Sequence, residues 1–135
     1  MVSTSDVMRE WLIVSGTSLY TLCGTRIWCP TKPPSETWSN TSAAIIFRPR
    51  SEKAHFTATP MIETMFDFFC YGGNSTYGST ETVYQALFDR LHGQTGAVAT
   101  SGTIVTATQI SAQQGPPEPD TGWPVYIAVY HTFIQ

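Results

Sequence analysis

Residues 61–71 constrain the fold more than any other segment. Phe66, Phe68 and Cys70 fall on one side of a period-two pattern, and Glu63, Asp67 and Phe69 on the other. Successive side chains of a strand point to opposite faces, so this run predicts a strand with one apolar face to bury. Gly72-Gly73-Asn74 breaks it. Ser79 or Thr80 then stands where a helix needs a cap, and the helix that follows puts Val83, Leu87 and Leu91 on one stripe flanked by Tyr84 and Phe88, ending at His92-Gly93. A strand that runs through a glycine turn into an amphipathic helix needs further strands beside it and a helical layer over one face.

The remaining segments supply both. Ala43–Arg48 is a short apolar run that predicts a strand paired with 61–71. Residues 49–60 between them exceed a tight hairpin and carry three of the seven basic residues if Arg48 is counted with Arg50 and Lys53, which reads as an extended, mobile arm. Thr103–Ala112 alternates, and Val125–Ile134 is a long β-branched and aromatic run. Both predict strands, joined by a loop over 113–122 that is too long for a two-residue turn. At the start, Ser3, Thr4 and Ser5 are candidate N-caps with Asp6 in the first turn. A helix is expected over 3–23 on Met8, Leu12 and Leu19, with Gly16 a candidate break and Gly24 a stop. Residues 30–42 are too rich in turn formers for a helix or central strand. The expected order is α-β-β-α-β-β. It corresponds to a single α+β domain over 1–135, with an N-terminal and a central helix on one face of a largely antiparallel four-stranded sheet.

Composition narrows the function. Of the 135 residues 41% are hydrophobic, enough for one ordinary core. Only 13% are charged, about half the usual share, while Ser and Thr make up about a quarter of the chain. The net charge of −3 argues against gripping nucleic acid through phosphates, so Arg26-Ile27-Trp28 and the stretch from Arg48 to His55-Phe56 are at most secondary contacts. The longest uncharged stretches, 11–25 and 91–117, are respectively too short and too polar to span a membrane. Three cysteines without a recognisable secretory leader point to a reducing compartment, where the sequons at Asn40 and Asn74 are chance matches.

Chemistry at a site is not expected. Cys23 and Cys29 are separated by five residues, and Cys70, His55, His92 and His131 lie on separate segments, so no zinc spacing arises. There is no G-x-S-x-G, and the glycines of 72–78 lack a phosphate-loop ending. Glu63 and Asp67 share a strand face, which reads as solvated surface before it reads as a catalytic pair. Trp38 and Trp123, each in a polar loop, need cover from this domain or from another subunit, and the two readings stand equal.

Taken in order, several segments resemble the bacteriophage tail-completion, or tail-terminator, family. They are the N-terminal helix leading to Leu22-Cys23-Gly24-Thr25-Arg26-Ile27, the strand Ala43–Phe47, and Phe66–Gly72 running into the helix Val83–Gly93. Asp120-Thr121-Gly122-Trp123-Pro124 before the last strand completes the set. The 30–42 loop and the polar stretch 94–114 depart from the family. The resemblance implies a structural virion protein without catalysis or cofactor. It would form a homo-hexameric ring that caps the tail tube, meets the head-completion proteins below the portal, leaves a channel for DNA, makes no membrane contact and assembles in the host bacterial cytoplasm. Trp38, Arg48, Arg50, Lys53, His55, Phe56, Pro117, Asp120 and Trp123 are the candidate interface residues. The rivals are a neighbouring head-completion or neck subunit, and a small-molecule-binding or hydrolytic α+β domain using the Glu63–Asp67 face or the 72–78 turn. The low charge fits a subunit meant to be enclosed, since uncharged polar surface is cheaper to desolvate.

Overall fold

The computed structural model describes residues 3–39, 41–55, 61–73, 76–119 and 121–135. The N-terminal helix is two helices. In α1, Thr4–Leu12, the Ser3 side chain accepts the Asp6 N–H, and Val7, Met8 and Leu12 are buried; in α2, Ser18–Cys23, Thr17 caps by accepting the Tyr20 N–H. Gly16, at φ +88°, makes the break between them. The chain continues as β1 (Ile27–Trp28), β2 (Ala43–His55), β3 (Met61–Gly72), α3 (Tyr77–Leu91), β4 (Thr95–Val98), β5 (Thr103–Gln114) and β6 (Tyr126–Ile134). The helix α3 starts at Tyr77, with Thr76 at its N-cap position; Ser79 and Thr80, expected as caps, instead donate their hydroxyls to the carbonyls of Thr76 and Tyr77 within the first turn.

The α+β class is as expected, but the sheet has six strands, not four. Its order is β1-β2-β3-β6-β5-β4, and it is mixed: β1 pairs with β2 in parallel, while every other pair is antiparallel. The two additional strands, β1 and β4, are only two and four residues long, shorter than any periodic pattern needs to declare itself. The expected mobile arm is also corrected. β2 runs on through Pro49 to His55, antiparallel to β3 down to Met61, with a bulge between Pro49 and Ser51. Pro49 is tolerated because, among the described residues, no strand lies on the outer side of β2 there, so its missing N–H breaks no ladder bond. Residues 56–60 lie outside the described residues.

The core lies between the helices and one sheet face. Ile62, Phe66, Phe68 and Cys70 of β3 are buried there, with Phe68 stacked on Phe47 at 5.4 Å and edge-on to Tyr130 at 5.5 Å. Val83, Leu87 and Leu91 of α3 and Val7, Met8, Leu12, Leu19 and Cys23 of the first two helices close over it. A reciprocal clasp fastens α1 to α3. The Trp11 indole N–H donates to the Arg90 carbonyl (3.2 Å), the Arg90 guanidinium donates twice to the Trp11 carbonyl (3.0 and 2.9 Å), and that guanidinium lies 3.5 Å from the Trp11 ring centre. The central seam joins β3 to β6, from Ile62 opposite Ile134 to Cys70 opposite Tyr126. Among the described residues no helix is long and apolar enough to cross a membrane.

Candidate functional site

Because β3 buries its even-numbered residues, its odd-numbered ones line the sheet face that the helices leave open. Cross-strand neighbours share a face, so this face can be read row by row: Trp28, Ile46, Phe69, Ile127; then Arg48, Asp67, Val129; then Ser51, Met65, His131; then Lys53, Glu63, Phe133. Of the expected interface residues, the described ones, Trp38, Arg48, Arg50, Lys53, His55, Pro117 and Trp123, lie on or beside it.

At one end the two long loops fold onto the sheet. Trp38 lies 5.8 Å from Trp28, 5.3 Å from Tyr71 and 5.5 Å from Trp123, ring centre to ring centre, in tilted or edge-on geometries. Its indole N–H donates to the Ser42 carbonyl at 2.7 Å. Tyr71 donates its hydroxyl to the Glu118 carboxylate, which fastens the 115–125 loop, and the Thr121 hydroxyl donates to the same carboxylate at 3.2 Å. Burial, then the bond to Glu118, pushes the Tyr71 phenol well above its ordinary range. Trp38 and Trp123 therefore cover each other within one subunit, on a floor of Trp28 and Tyr71. Pro117 is exposed in the second loop, and Asp120 lies outside the described residues. A groove of about 210 Å³ opens beside the cluster, lined among others by Arg26, Trp28, Glu36, Trp38 and Ser42. Neither Glu63 nor Asp67 lines it.

In the middle of the face, Arg48 donates to the Pro30 carbonyl (3.0 Å) and places its guanidinium 5.2 Å from the Phe69 ring centre. Arg50 pairs with Asp67 at 2.8 Å. Toward the far end, Glu63 accepts from both His55 (2.9 Å) and His131 (2.6 Å), one imidazole on each carboxylate oxygen. The bonds from His131 and then His55 hold the Glu63 carboxyl below the usual carboxylate range. The Phe133 ring touches both imidazoles, at 5.7 and 5.0 Å. Lys53 is exposed, opposite Glu63 in the ladder, and Phe56 lies outside the described residues.

The two carboxylates that might have formed an acid pair are thus each engaged by separate cations or imidazoles. Among the described residues no group of three or more His, Cys, Asp and Glu side chains is disposed to hold a metal ion. The three thiols are free, Cys23 and Cys70 buried and Cys29 half-buried. Burial pushes Cys23 up to about 12 and Cys70 well above the ordinary thiol value, which leaves neither as a nucleophile at neutral pH. The arrangement presents a broad face of half-exposed aromatic and aliphatic groups with paired charged groups among them. Sequence reasoning missed His131 and Tyr71 as members of this face, because their partners lie in other strands and loops.

No protein-family model matches the chain, and no curated protein matches it. Its fold is similar to that of a chain in the virion of a native gene transfer agent particle. That likeness has a TM-score of 0.64 and covers 98% of this chain and 94% of the other, at 14% sequence identity.

Proposed function

We propose that this chain is a structural subunit of a phage-like virion, and that within it the chain is the ring-forming tail terminator that caps the tail tube and joins it to the head-completion proteins. The single observation that carries the reading is the likeness of fold, end to end on both chains, to a chain of a gene transfer agent virion. In this reading the role is mechanical and not enzymatic, the partners are copies of the chain and its tail and neck neighbours, and DNA passes through the ring without being held. The open sheet face and the two sheet edges are the surfaces available for those contacts.

The test is assembly. Size-exclusion chromatography with light scattering on the full chain is expected to give a hexamer, or a monomer that becomes a hexamer on tail tubes. Particles made without the chain are expected to contain tails and filled heads that fail to join. A stable dimer that binds a small molecule in the groove beside Trp38 would overturn the reading in favour of a ligand-binding domain.

A further inference from the structure

The two edges of the sheet differ in length, exposure and charge. The outer side of β2 is covered by β1 only at Ile45 and Ile46; from Arg48 to His55 no described strand lies beyond it. At the other side β4 pairs only with β5, through Thr95, Ala97 and Val98. The β2 stretch carries Arg48, Pro49, Arg50, Glu52 and Lys53 and a bulge at Pro49–Ser51, devices that keep an edge strand from pairing indiscriminately and that set two such edges against each other. By contrast β4, four residues long and kinked at Gly96 (φ +67°), carries no charge and no proline, and its Val98 is 72% exposed. The uncharged edge is the one expected to recruit a strand, and the charged edge is expected to accept only a selected one.

Strand directions settle how the two would meet. Every pair from β2 across to β4 is antiparallel, in the order β2-β3-β6-β5-β4, so β2, β6 and β4 run the same way. In a head-to-tail ring a neighbour's β4 arrives parallel to β2, the sense in which β1 already pairs with it. Past the bulge, Ser51–His55 offers a vacancy about the length of β4. That vacancy is already ordered: Thr4 of α1 donates to Glu52, and Glu63 holds His55 against β3. Preordered edges lose less entropy on pairing.

We propose that β4 of one copy seats on the Ser51–His55 edge of β2 in the next, so that the sheet continues from subunit to subunit around the ring. The inference rests on the ring reading above. The contact is heterologous, which is what closes a ring, and it satisfies backbone N–H and C=O groups that both edges leave unpaired.

The test uses the full chain in a Cys29→Ser background, with Val98→Cys in one population and Ser51→Cys or Lys53→Cys in a second. Side chains on directly paired strands lie within disulfide reach. Mild oxidation of the mixture is expected to give the Val98–Ser51 or Val98–Lys53 heterodimer, and the doubly substituted chain is expected to give a ladder ending at the ring. Val98→Lys, placed against Lys53, is expected to leave circular dichroism unchanged while weakening ring assembly more than tenfold, and Lys53→Glu is expected to restore it. Rings that form without these cross-links and survive Val98→Lys overturn the edge pairing and leave the ring reading standing. Cross-links between Val98 and Val98 alone, giving a two-fold dimer, overturn both, as does a chain that never associates in solution or on tail tubes.

Discussion

Trp38 decides between two kinds of aromatic surface, one built to hold a subunit together and one built to meet a neighbour. In this fold it is the hub of the loop cluster, touching Trp28, Tyr71 and Trp123 and donating to the Ser42 carbonyl. A large aromatic truncated to Ala in a full core costs about 3–5 kcal/mol, and the half-buried Trp38 keeps part of that, so Trp38→Ala is expected to cost about 2–3 kcal/mol. With an m-value near 1.5 kcal/mol/M, the urea midpoint should fall by about 1.5 M. Far-UV circular dichroism is the suitable probe, because the substitution removes one of four fluorophores. Trp38→Phe, which keeps a ring but loses the N–H to Ser42, should cost about 1 kcal/mol. An unchanged midpoint for Trp38→Ala together with lost assembly would refute the reasoning, since Trp38 would then be spending its contacts on another subunit.

Three further outcomes are expected. Gly73 sits at φ +84°, and a Cβ there would come 2.7 Å from the Ser42 carbonyl carbon and 2.8 Å from the Ala43 nitrogen; Gly73→Ala should destabilise by about 2–4 kcal/mol in urea melts, through strain and a backbone shift at the start of β2. The Glu63 carboxyl is held below its ordinary range, so its contribution to stability is present above the unfolded-state value of about 4.3 and is lost as pH falls through the lower folded value. Glu63→Gln should therefore flatten the loss of thermal stability below pH 4 relative to wild type. Thiol titration of the native chain should report Cys29 first and leave Cys23 and Cys70 silent until denaturant is added, because Cys29 alone is half-buried.

What was legible in the sequence follows the length of each element. β3 and α3 announce themselves because each repeats its period several times, and every residue assigned to the buried side of β3 is buried. β1 and β4 have no room for a repeat. The far half of β2 is hidden for a different reason: a strand with one unpaired edge needs neither alternation nor continuous N–H donors, so Pro49 and four charged residues sit where a central strand would exclude them. The open face shows the same division. That Trp38 and Trp123 need cover can be read from their polar surroundings, but that they cover each other depends on two loops 85 residues apart meeting over Tyr71. Likewise Glu63 and His131 are 68 residues apart and adjacent only through the β3–β6 pairing. Parallel pairing of β1 with β2 leaves no local trace at all.

The β3–β6 seam has a kinetic consequence. On one side of it, β2 and β3 form a hairpin of near neighbours; on the other, β4, β5 and β6 follow one another in sequence and pair in that order. Each half can gather its ladder by shorter-range closure, and among the strand pairs only the seam, where Phe68 meets Ala128, brings together residues some 60 positions apart. Closing so long a loop is the slow, entropically expensive step in forming the sheet. The same central strands that carry the broad open face would thus be the last to zip. A newly made chain would present that face in final form only once both halves had joined.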